Sequence, residues 1–261
     1  MTHGGFELSD IRVRAGGGEI LEIPYLHIPE GTFAAIIGTN GAGKTTLLKT
    51  CSGLIKPAQG KVCFAGAELR GLSSWARTRL RRQIGYIPQR TEYNARLPFT
   101  VREIVTMGRT SACGLLKPLT RRDNEIVNHW IRQVGLYEKR RQTFRSLSGG
   151  EQQKTLIARA MAQQPKVLML DEPCSNLDFK WTAQIREMID RLYITEKVTV
   201  IMVSHELNAI PDSCRRMLLL DAGRVLIDDK PERVLASEEL KEAYGMSPAA
   251  FASNGSHREQ S

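Results

Sequence analysis

The strongest chemical signal in the sequence is a glycine-rich run that leads into a lysine and two threonines: Gly38, Thr39, Asn40, Gly41, Ala42, Gly43, Lys44, Thr45 and Thr46. It fits the pattern GxxxxGK[ST] and lies between a short apolar run and a predicted helix. Glycines let backbone N–H groups turn toward phosphate oxygens, and a helix N-terminus adds its positive dipole end. We therefore predict that this run binds a nucleoside triphosphate, with Lys44 on the β- and γ-phosphates and Thr45 on Mg²⁺.

Two carboxylates, Asp171 and Glu172, directly follow the apolar run 167–170. Ionised carboxylates at the end of a buried strand cost free energy unless a cation compensates them. Mg²⁺ held beside the phosphate loop would supply that cation, with Asp171 as its ligand, directly or through a neighbouring group. Glu172 is predicted to polarise an attacking water. The alternative interpretation is a solvated strand end.

The pattern around these residues predicts an α/β fold with a mainly parallel sheet. Residues 6–28 alternate loosely around a glycine turn, which indicates an antiparallel hairpin. Continuous apolar runs predict buried strands at 32–37, 167–170 and 198–203, with helices at 44–52 and 181–192 and a hairpin at 217–227. The alternation of strand and helix favours a doubly wound sheet.

Strand patterns are missing between about residues 90 and 165, where two helical faces, 126–134 and 156–161, stand out. We predict a helical lobe inserted into a core of residues 1–89 and 166–251, so that 1–251 forms one domain. The polar, glycine-bearing tail 252–261 is predicted to be disordered.

Composition narrows the class of protein. The 261 residues are 41% hydrophobic and 25% charged, which is ordinary for a globular domain and excludes a disordered, collagen-like or disulfide-scaffold chain. No apolar run approaches the roughly 18 residues of a membrane span, and the first residues do not resemble a signal peptide. We expect an intracellular chain with five reduced, mostly buried cysteines. The net charge of +9 is compatible with nucleic acid, an anionic membrane surface or a nucleotide.

A third motif, Leu147 to Glu151, reads Leu-Ser-Gly-Gly-Glu and precedes an amphipathic helix about 20 residues before Asp171. Together with the phosphate loop and the carboxylates, it resembles the ATP-binding subunits of ABC transporters, whose LSGGQ signature it matches except at Glu151. The resemblance covers about residues 6–245. It extends to the family's Q-loop, D-loop and switch motifs, which are matched by Gln89, Asp178 and His205.

The resemblance implies a P-loop ABC cassette with a parallel core sheet, an N-terminal antiparallel β subdomain and the helical lobe. It implies ATP and Mg²⁺ as cofactors, with Gln89 sensing the γ-phosphate through Mg²⁺ or water and His205 contacting that phosphate. It also implies two copies paired head to tail, so that residues of one copy close over ATP held by Lys44 of the other. Those closing residues are Ser148, Gly149, Gly150 and Asp178.

One position departs from the family. The aromatic residue that usually stacks on adenine is replaced by Ala15, which cannot stack. The alternatives are that Arg12 or Arg14 contacts the base instead, or that the contact with the base is weak, so a preference for ATP over GTP stays open.

Finer signals resemble the importers of iron-siderophores, haem and cobalamin. They are the segments 101–105 and 107–109 and a C-terminal pattern that ends in Tyr244-Gly245. Importers of zinc, manganese or molybdate share parts of them. The resemblance implies a transmembrane permease, an indirectly associated solute-binding protein, and a peripheral position on the cytoplasmic face of the inner membrane. The permease is expected to dock at about residues 89–114, with Pro98, Phe99, Arg102 and Arg109 as candidates. The arginines at 77, 79, 81 and 82 either face lipid headgroups or, as we favour, form a solvated helix face.

Two rival classes of protein account for less of the sequence. A soluble ABC ATPase of the iron–sulfur assembly type fits the size of the chain, whereas DNA-repair members need a long coiled coil that this sequence lacks. A P-loop kinase would have no use for the signature motif. No element offers aromatic platforms for bases, so no nucleic-acid partner is expected.

Overall fold

The computed structural model describes residues 5–89, 98–113 and 118–245. Its strands are β1 Gly5–Ala15, β2 Gly18–Pro29, β3 Phe33–Ile37, β4 Gln59–Phe64, β5 Ala67–Glu68, β6 Ile84–Ile87, β7 Val167–Asp171, β8 Thr199–Val203, β9 Arg216–Asp221 and β10 Arg224–Asp229. Its α-helices are α1 Lys44–Cys51, α2 Ser74–Arg81, α3 Val101–Cys113, α4 Arg121–Gln133, α5 Gly149–Ala162, α6 Phe179–Glu196, α7 Pro231–Leu235 and α8 Glu238–Ala243. Within these ranges, no helix combines the length and the apolar character needed to cross a bilayer. The tail predicted to be disordered, 252–261, lies outside the described residues.

The central sheet has six strands in the order β10-β9-β3-β8-β7-β6. All neighbouring strands from β9 to β6 are parallel, and β10 is an antiparallel edge strand. The predicted strands, the predicted helices at 44–52 and 181–192, and the 217–227 hairpin are confirmed. Parallel strands present their carboxyl ends at one edge of a sheet, so the residues that follow β3, β6, β7 and β8 meet there.

Both faces of this sheet are buried, which explains its continuous apolar runs. In β3, Phe33, Ala35 and Ile37 belong to one hydrophobic cluster, and Ala34 and Ile36 belong to a second cluster. The first cluster also holds residues of the helices α3 to α6. The second holds the apolar side of α1 and the inner face of a separate antiparallel sheet. The period of two along β3 therefore fixes which layer covers each face.

The antiparallel sheet has the order β2-β1-β4-β5. The hairpin predicted at 6–28 is confirmed, with Phe6 opposite Ile28 and Val13 opposite Leu21. Gly16 and Gly17 turn the chain with φ values of +59° and +82°, which favour glycine. This sheet and the parallel sheet together give the mixed α/β architecture expected of an ABC cassette.

The helices α3, α4 and α5 pack on one another. The faces predicted at 126–134 and 156–161 lie in α4 and α5, and Val127, Ile131 and Ile157 are fully buried. The closest approach is at Gly108 in α3, where a Cβ would lie 1.9 Å from the Arg159 carbonyl oxygen. These helices share one hydrophobic cluster with the central sheet. The boundaries of a separate lobe at 90 and 165 therefore stay a prediction.

Sequence patterns indicated no strand between residues 53 and 90, yet β4, β5 and β6 lie there. These strands have two to six residues each, and β6 contains a glycine. Runs this short carry too little periodicity to identify, and β6 is held mainly by pairing with β7, far along the chain.

Candidate active site

The phosphate loop joins the carboxyl end of β3 to the first residue of α1. Gly38 has a φ of +148°, and a Cβ there would lie 2.0 Å from the Leu220 carbonyl oxygen, so this position admits only glycine. Gly43 precedes α1 with a φ of +97°, and no side chain caps the helix. The first N–H groups of α1 therefore remain available to an anion.

Lys44 is 5% exposed, and its Nζ donates hydrogen bonds of 2.8 Å to the carbonyl oxygens of Gly38 and Thr39. Burial lowers the pKa of Lys44, and the nearby carboxylates of Glu172 and Asp171 oppose that shift. The ammonium group is thus held at the loop by neutral carbonyls. A cation in this position suits a polyanionic ligand.

Asp171 ends β7 and is 1% exposed. Its Oδ1 accepts a 2.8 Å hydrogen bond from Thr45 Oγ1, and its Oδ2 accepts a 3.2 Å bond from the Tyr86 hydroxyl. Burial raises the pKa of Asp171, and the two hydroxyl donors offset part of that effect. A buried carboxylate whose direct partners are neutral hydroxyls has the oxygen donors that Mg²⁺ prefers, so these residues fit a magnesium ion.

Gln89 and His205, which belong to separate sequence motifs, both lie against Glu172. Its Oε2 accepts a 2.7 Å hydrogen bond from Gln89 Nε2, and its Oε1 lies 3.1 Å from Nδ1 of His205. That nitrogen is not aligned for a hydrogen bond. Gln89 follows β6, Glu172 follows β7 and His205 follows β8, so the parallel sheet assembles the group at one edge.

The backbone at Glu172 is held in the left-handed region, with a φ of +50°. Such a conformation costs a non-glycine residue about 1 kcal/mol or more and is typical of functional sites. Its N–H donates a 3.0 Å bond to the Val203 carbonyl, which ties the strained residue to β8. The side chain, 8% exposed, stays beside His205.

The signature motif forms the N-terminus of α5. Ser148 caps the helix in a reciprocal capping box with Glu151. A Cβ on Gly150 would lie 2.1 Å from Cδ2 of Trp181, so the signature packs directly on α6. Asp178 caps α6 by accepting a 2.8 Å bond from the Trp181 N–H. Within the described ranges, no hydrogen bond or ion pair joins Ser148 or Gly150 to the phosphate loop.

Two tyrosines at the site were not anticipated. Tyr86 holds Asp171, and burial raises the pKa of Tyr86. The Tyr244 hydroxyl accepts a 3.1 Å bond from the Gly38 N–H and donates a 3.5 Å bond to the His205 carbonyl. In the sequence Tyr244-Gly245 stands only as part of a C-terminal pattern, because nothing local connects it to the phosphate loop.

Two arginines expected at the permease surface have partners within the chain. Arg102 donates to the Asn124 and Asn128 side chains, and Arg109 pairs with Asp123 at 2.6 Å, so both hold the helical layer together. Their part in docking a permease stays a prediction.

The arginines of α2 also have partners within the chain. Arg77 donates to the Leu72 carbonyl, Arg81 donates to the Gly53 carbonyl, and Arg79 lies over Trp75. Toward the end of β1, Arg12 pairs with Glu19 and Glu22, while Arg14, whose side chain is 66% exposed, pairs with Glu19 at 4.0 Å. All five cysteines are free thiols, and those at 51, 174 and 214 are buried.

The fold and site define a P-loop nucleotide-binding ATPase with a parallel core sheet. The chain matches the ABC transporter family model over residues 21–175, more than half of its length. It belongs to the ABC transporter family and is an ATP-binding, ATP-hydrolysing cassette.

Relatives of this chain differ in the cargo that their names give. The chain is 33% identical over 239 residues to the manganese transport system ATP-binding protein MntB of Bacillus subtilis, covering 92% of each chain. It is 29% identical to the zinc uptake system ATP-binding protein ZurA of Listeria innocua, covering 90% of each. It is 33% identical to the cobalamin import ATP-binding protein BtuD of Halobacterium salinarum, over 91% of this chain and 58% of that protein.

Solved structures agree with the fold. A transporter provisionally assigned to the metal-chelate type, in an inward-facing conformation, superposes with a TM-score of 0.78 and 25% identity, covering 92% and 89% of the two chains. The ATP-binding cassette MJ0796, a dimer in a post-hydrolysis state with ADP and Pi, superposes with a TM-score of 0.74 and 26% identity, covering 86% of this chain and 98% of that one.

Proposed function

We propose that this chain powers an ABC importer of a metal chelate, of the iron-siderophore, haem or cobalamin kind. The observation that carries the ATP-driven part of the proposal is the adjacent pair of carboxylates at the sheet edge: Asp171 beside Thr45, and Glu172 beside Gln89 and His205. One carboxylate can hold a metal while the other acts on water, which is the division of labour that ATP hydrolysis needs.

In this proposal the phosphate loop, residues 38–46, binds the phosphates of ATP, and Lys44 turns from its own carbonyls to the β- and γ-phosphates. Thr45, Asp171 and Gln89 would hold Mg²⁺, which would neutralise charge at the phosphates. Glu172 accepts a proton from the attacking water. His205 holds the γ-phosphate and, through its contact with Glu172, keeps that carboxylate in position.

A second copy completes the site. Ser148, Gly149 and Gly150 sit at a capped helix N-terminus that receives a γ-phosphate from the other copy. The dimeric relative MJ0796 supports such a pairing. Asp178, whose side chain caps α6, fixes the segment that leads into α6. In this proposal that segment lies between the two copies.

The dimer acts on a membrane permease from the cytoplasmic face of the inner membrane, and a solute-binding protein delivers the cargo to that permease. The permease docks at residues 89–114, of which 90–97 and 114 lie outside the described structure. Pro98 and Phe99 remain in the proposed docking surface. Arg102 and Arg109 support it from within, through their bonds across α3 and α4.

Zinc or manganese ions are the second candidate cargo, because full-length relatives are named for those metals. The chelate is favoured by the resemblance of segments 101–105 and 107–109 to chelate importers. The nucleotide base is proposed to contact Arg14, since Arg12 is already paired with two glutamates.

The hydrolytic assignment is tested by Glu172→Gln. An amide cannot accept the proton of water, so the ATPase rate should fall by about a hundredfold or more while ATP binding persists. Size-exclusion chromatography should then show an ATP-dependent dimer. Glu206→Gln, which changes a carboxylate 3.7 Å from the other side of His205, is the matched control and should retain most activity. Near-parental hydrolysis by Glu172→Gln would remove Glu172 as the base.

The cargo is tested by uptake into cells that carry this chain with its co-purifying permease. Labelled cobalamin, ferric siderophore, haem, zinc and manganese are compared, with the Glu172→Gln chain as the inactive control. Uptake of a chelate that depends on Glu172 supports the proposal, and uptake of bare zinc or manganese alone supports the second candidate. Recovery only with soluble proteins and no permease would contradict both and return to the soluble-ATPase alternative.

A further inference from the structure

The glutamate that departs from the family signature has both of its oxygens occupied. Oε2 of Glu151 accepts a 3.1 Å hydrogen bond from the Ser148 N–H, and Oε1 accepts a 2.5 Å bond from Nζ of Lys139. In return the Glu151 N–H donates to Ser148 Oγ at 3.3 Å. The Glu151 side chain is 16% exposed and that of Lys139 is 44% exposed. Lys139 lies 12 positions earlier, in the loop after α4.

This carboxylate sits in an unfavourable place for the chemistry proposed above. The N-terminus of α5 is the end that would receive a γ-phosphate, and a negative charge three residues beyond Ser148 opposes a polyanion there. A glutamine, the family's usual residue, has no such charge. The sequence therefore needs a compensating cation, and the ion pair with Lys139 provides one.

Protonation does not remove the charge. The hydrogen bond from Lys139 is the main cause that holds the pKa of Glu151 below its usual range. Lys154 also interacts electrostatically with Glu151. Its ammonium group, however, donates a hydrogen bond to Gln184 and lies over the ring of Trp181. Among the described residues, Lys139 is thus the cation in direct contact with Glu151.

We propose that Lys139 is a positioning residue for the signature helix: it neutralises Glu151 and keeps that carboxylate turned back onto the Ser148 backbone. The Ser148 hydroxyl can still donate its proton. The N–H groups of Gly149 and Gly150 lie in the first turn of α5 and have no acceptor within the helix. These donors are left for the phosphate of ATP on a second copy. The inference rests on the proposed function and assigns a residue outside the signature to the same site.

The test is a pair of substitutions made in the Glu172→Gln chain, whose ATP-dependent dimer is followed by analytical ultracentrifugation. Lys139→Met should weaken that dimer by about tenfold, the usual size of coupling between contacting charges. Adding Glu151→Gln should restore it, because the amide keeps the capping box without a charge. Lys139→Arg should behave like the parent. Arg141→Met, which removes an exposed cation two positions away, is the matched control and should also match the parent.

Salt distinguishes charge compensation from a purely structural role. Raising the salt from about 0.1 M to about 1 M shortens the screening length from about 10 Å to about 3 Å, so the Lys139→Met defect should shrink if repulsion causes it. A defect that persists with Glu151→Gln, or that is insensitive to salt, overturns the inference. A parent dimer unaffected by Lys139→Met overturns the inference alone. Absence of any ATP-dependent dimer in the Glu172→Gln parent overturns the proposed function together with it.

Discussion

At the scale of single residues, the buried carboxylate of Asp171 combines a cost in stability with a functional role. Thr45 and Tyr86 donate neutral hydrogen bonds to it, and burial still raises its pKa above the ordinary value. A carboxyl group whose pKa is raised by folding stabilises the protein at low pH and loses that contribution as the pH rises through the folded pKa. Asp171 therefore destabilises the chain at neutral pH in the absence of a metal.

We expect Asp171→Asn to raise stability and abolish hydrolysis together. Removing the buried charge should add about 1 kcal/mol to the free energy of unfolding at pH 7, while Mg²⁺-dependent ATPase activity is lost. The gain should vanish toward about pH 4, where the unfolded aspartate is protonated as well. Urea unfolding across this pH range, without nucleotide or metal, measures the effect. Asp228→Asn is the control, because Asp228, on the antiparallel edge strand β10, pairs with Arg216. Equal pH dependence of the unfolding free energy in both variants would contradict the explanation.

At the scale of elements, the C-terminal helix α8 is connected to the phosphate loop. Tyr244 directly follows α8, and its hydroxyl bridges the Gly38 N–H and the His205 carbonyl. The buried Leu240 anchors the helix in the first hydrophobic cluster. Six residues of helix thus hold two loops of the active site at a fixed separation.

Tyr244→Phe should loosen the phosphate loop without removing the aromatic ring, which packs against the first hydrophobic cluster. We expect a loss of about 1 kcal/mol in stability, because the Gly38 N–H loses its acceptor. ATP affinity, measured by calorimetry, should fall by about threefold to tenfold. Tyr193→Phe removes a hydroxyl that bonds to Gly31 O at 2.9 Å, away from the loop, and serves as the control. Unchanged ATP affinity in Tyr244→Phe would show that the loop does not need this tie.

At the scale of the whole molecule, one copy carries two halves of a site that it does not join. The phosphate loop lies at the sheet edge, and the signature lies at the start of α5, with Gly150 packed on Trp181 of α6. Ser148 and Gly149 are exposed, so the helix end is open to another molecule. A second copy in head-to-tail contact would bring the two halves together.

Ser148→Arg tests that arrangement. A long side chain at the helix cap should block closure, so we expect no ATP-dependent dimer and an ATPase rate about a hundredfold lower. ATP binding to the monomer should persist, because the phosphate loop is untouched. Light scattering with and without ATP measures the outcome, and Ser146→Arg, two residues upstream and also exposed, is the control. A normal dimer in Ser148→Arg would argue against closure through this helix end.

Local sequence determined the phosphate loop, the carboxylate pair, the buried strands and the capped signature helix. Each depends on residues close together in the chain: glycine at Gly38 and Gly43, continuous apolar runs, and Ser148 three residues before Glu151. Conformational preference and periodicity act over such short distances, so the residues alone specify these features. Short elements such as β6 could not be predicted from the sequence, because four residues carry too little periodicity.

The tertiary structure alone decided which side chains meet. Gly38 and Tyr244 are 206 positions apart, and Tyr86 and Asp171 are 85 apart, so their contacts depend on strand order and helix packing rather than on local pattern. Packing also turned Arg102 and Arg109 inward and placed Lys139 against Glu151. A sequence determines which groups can ionise or donate. Only the folded chain sets the distances between groups, on which Coulomb energy and hydrogen bonding depend.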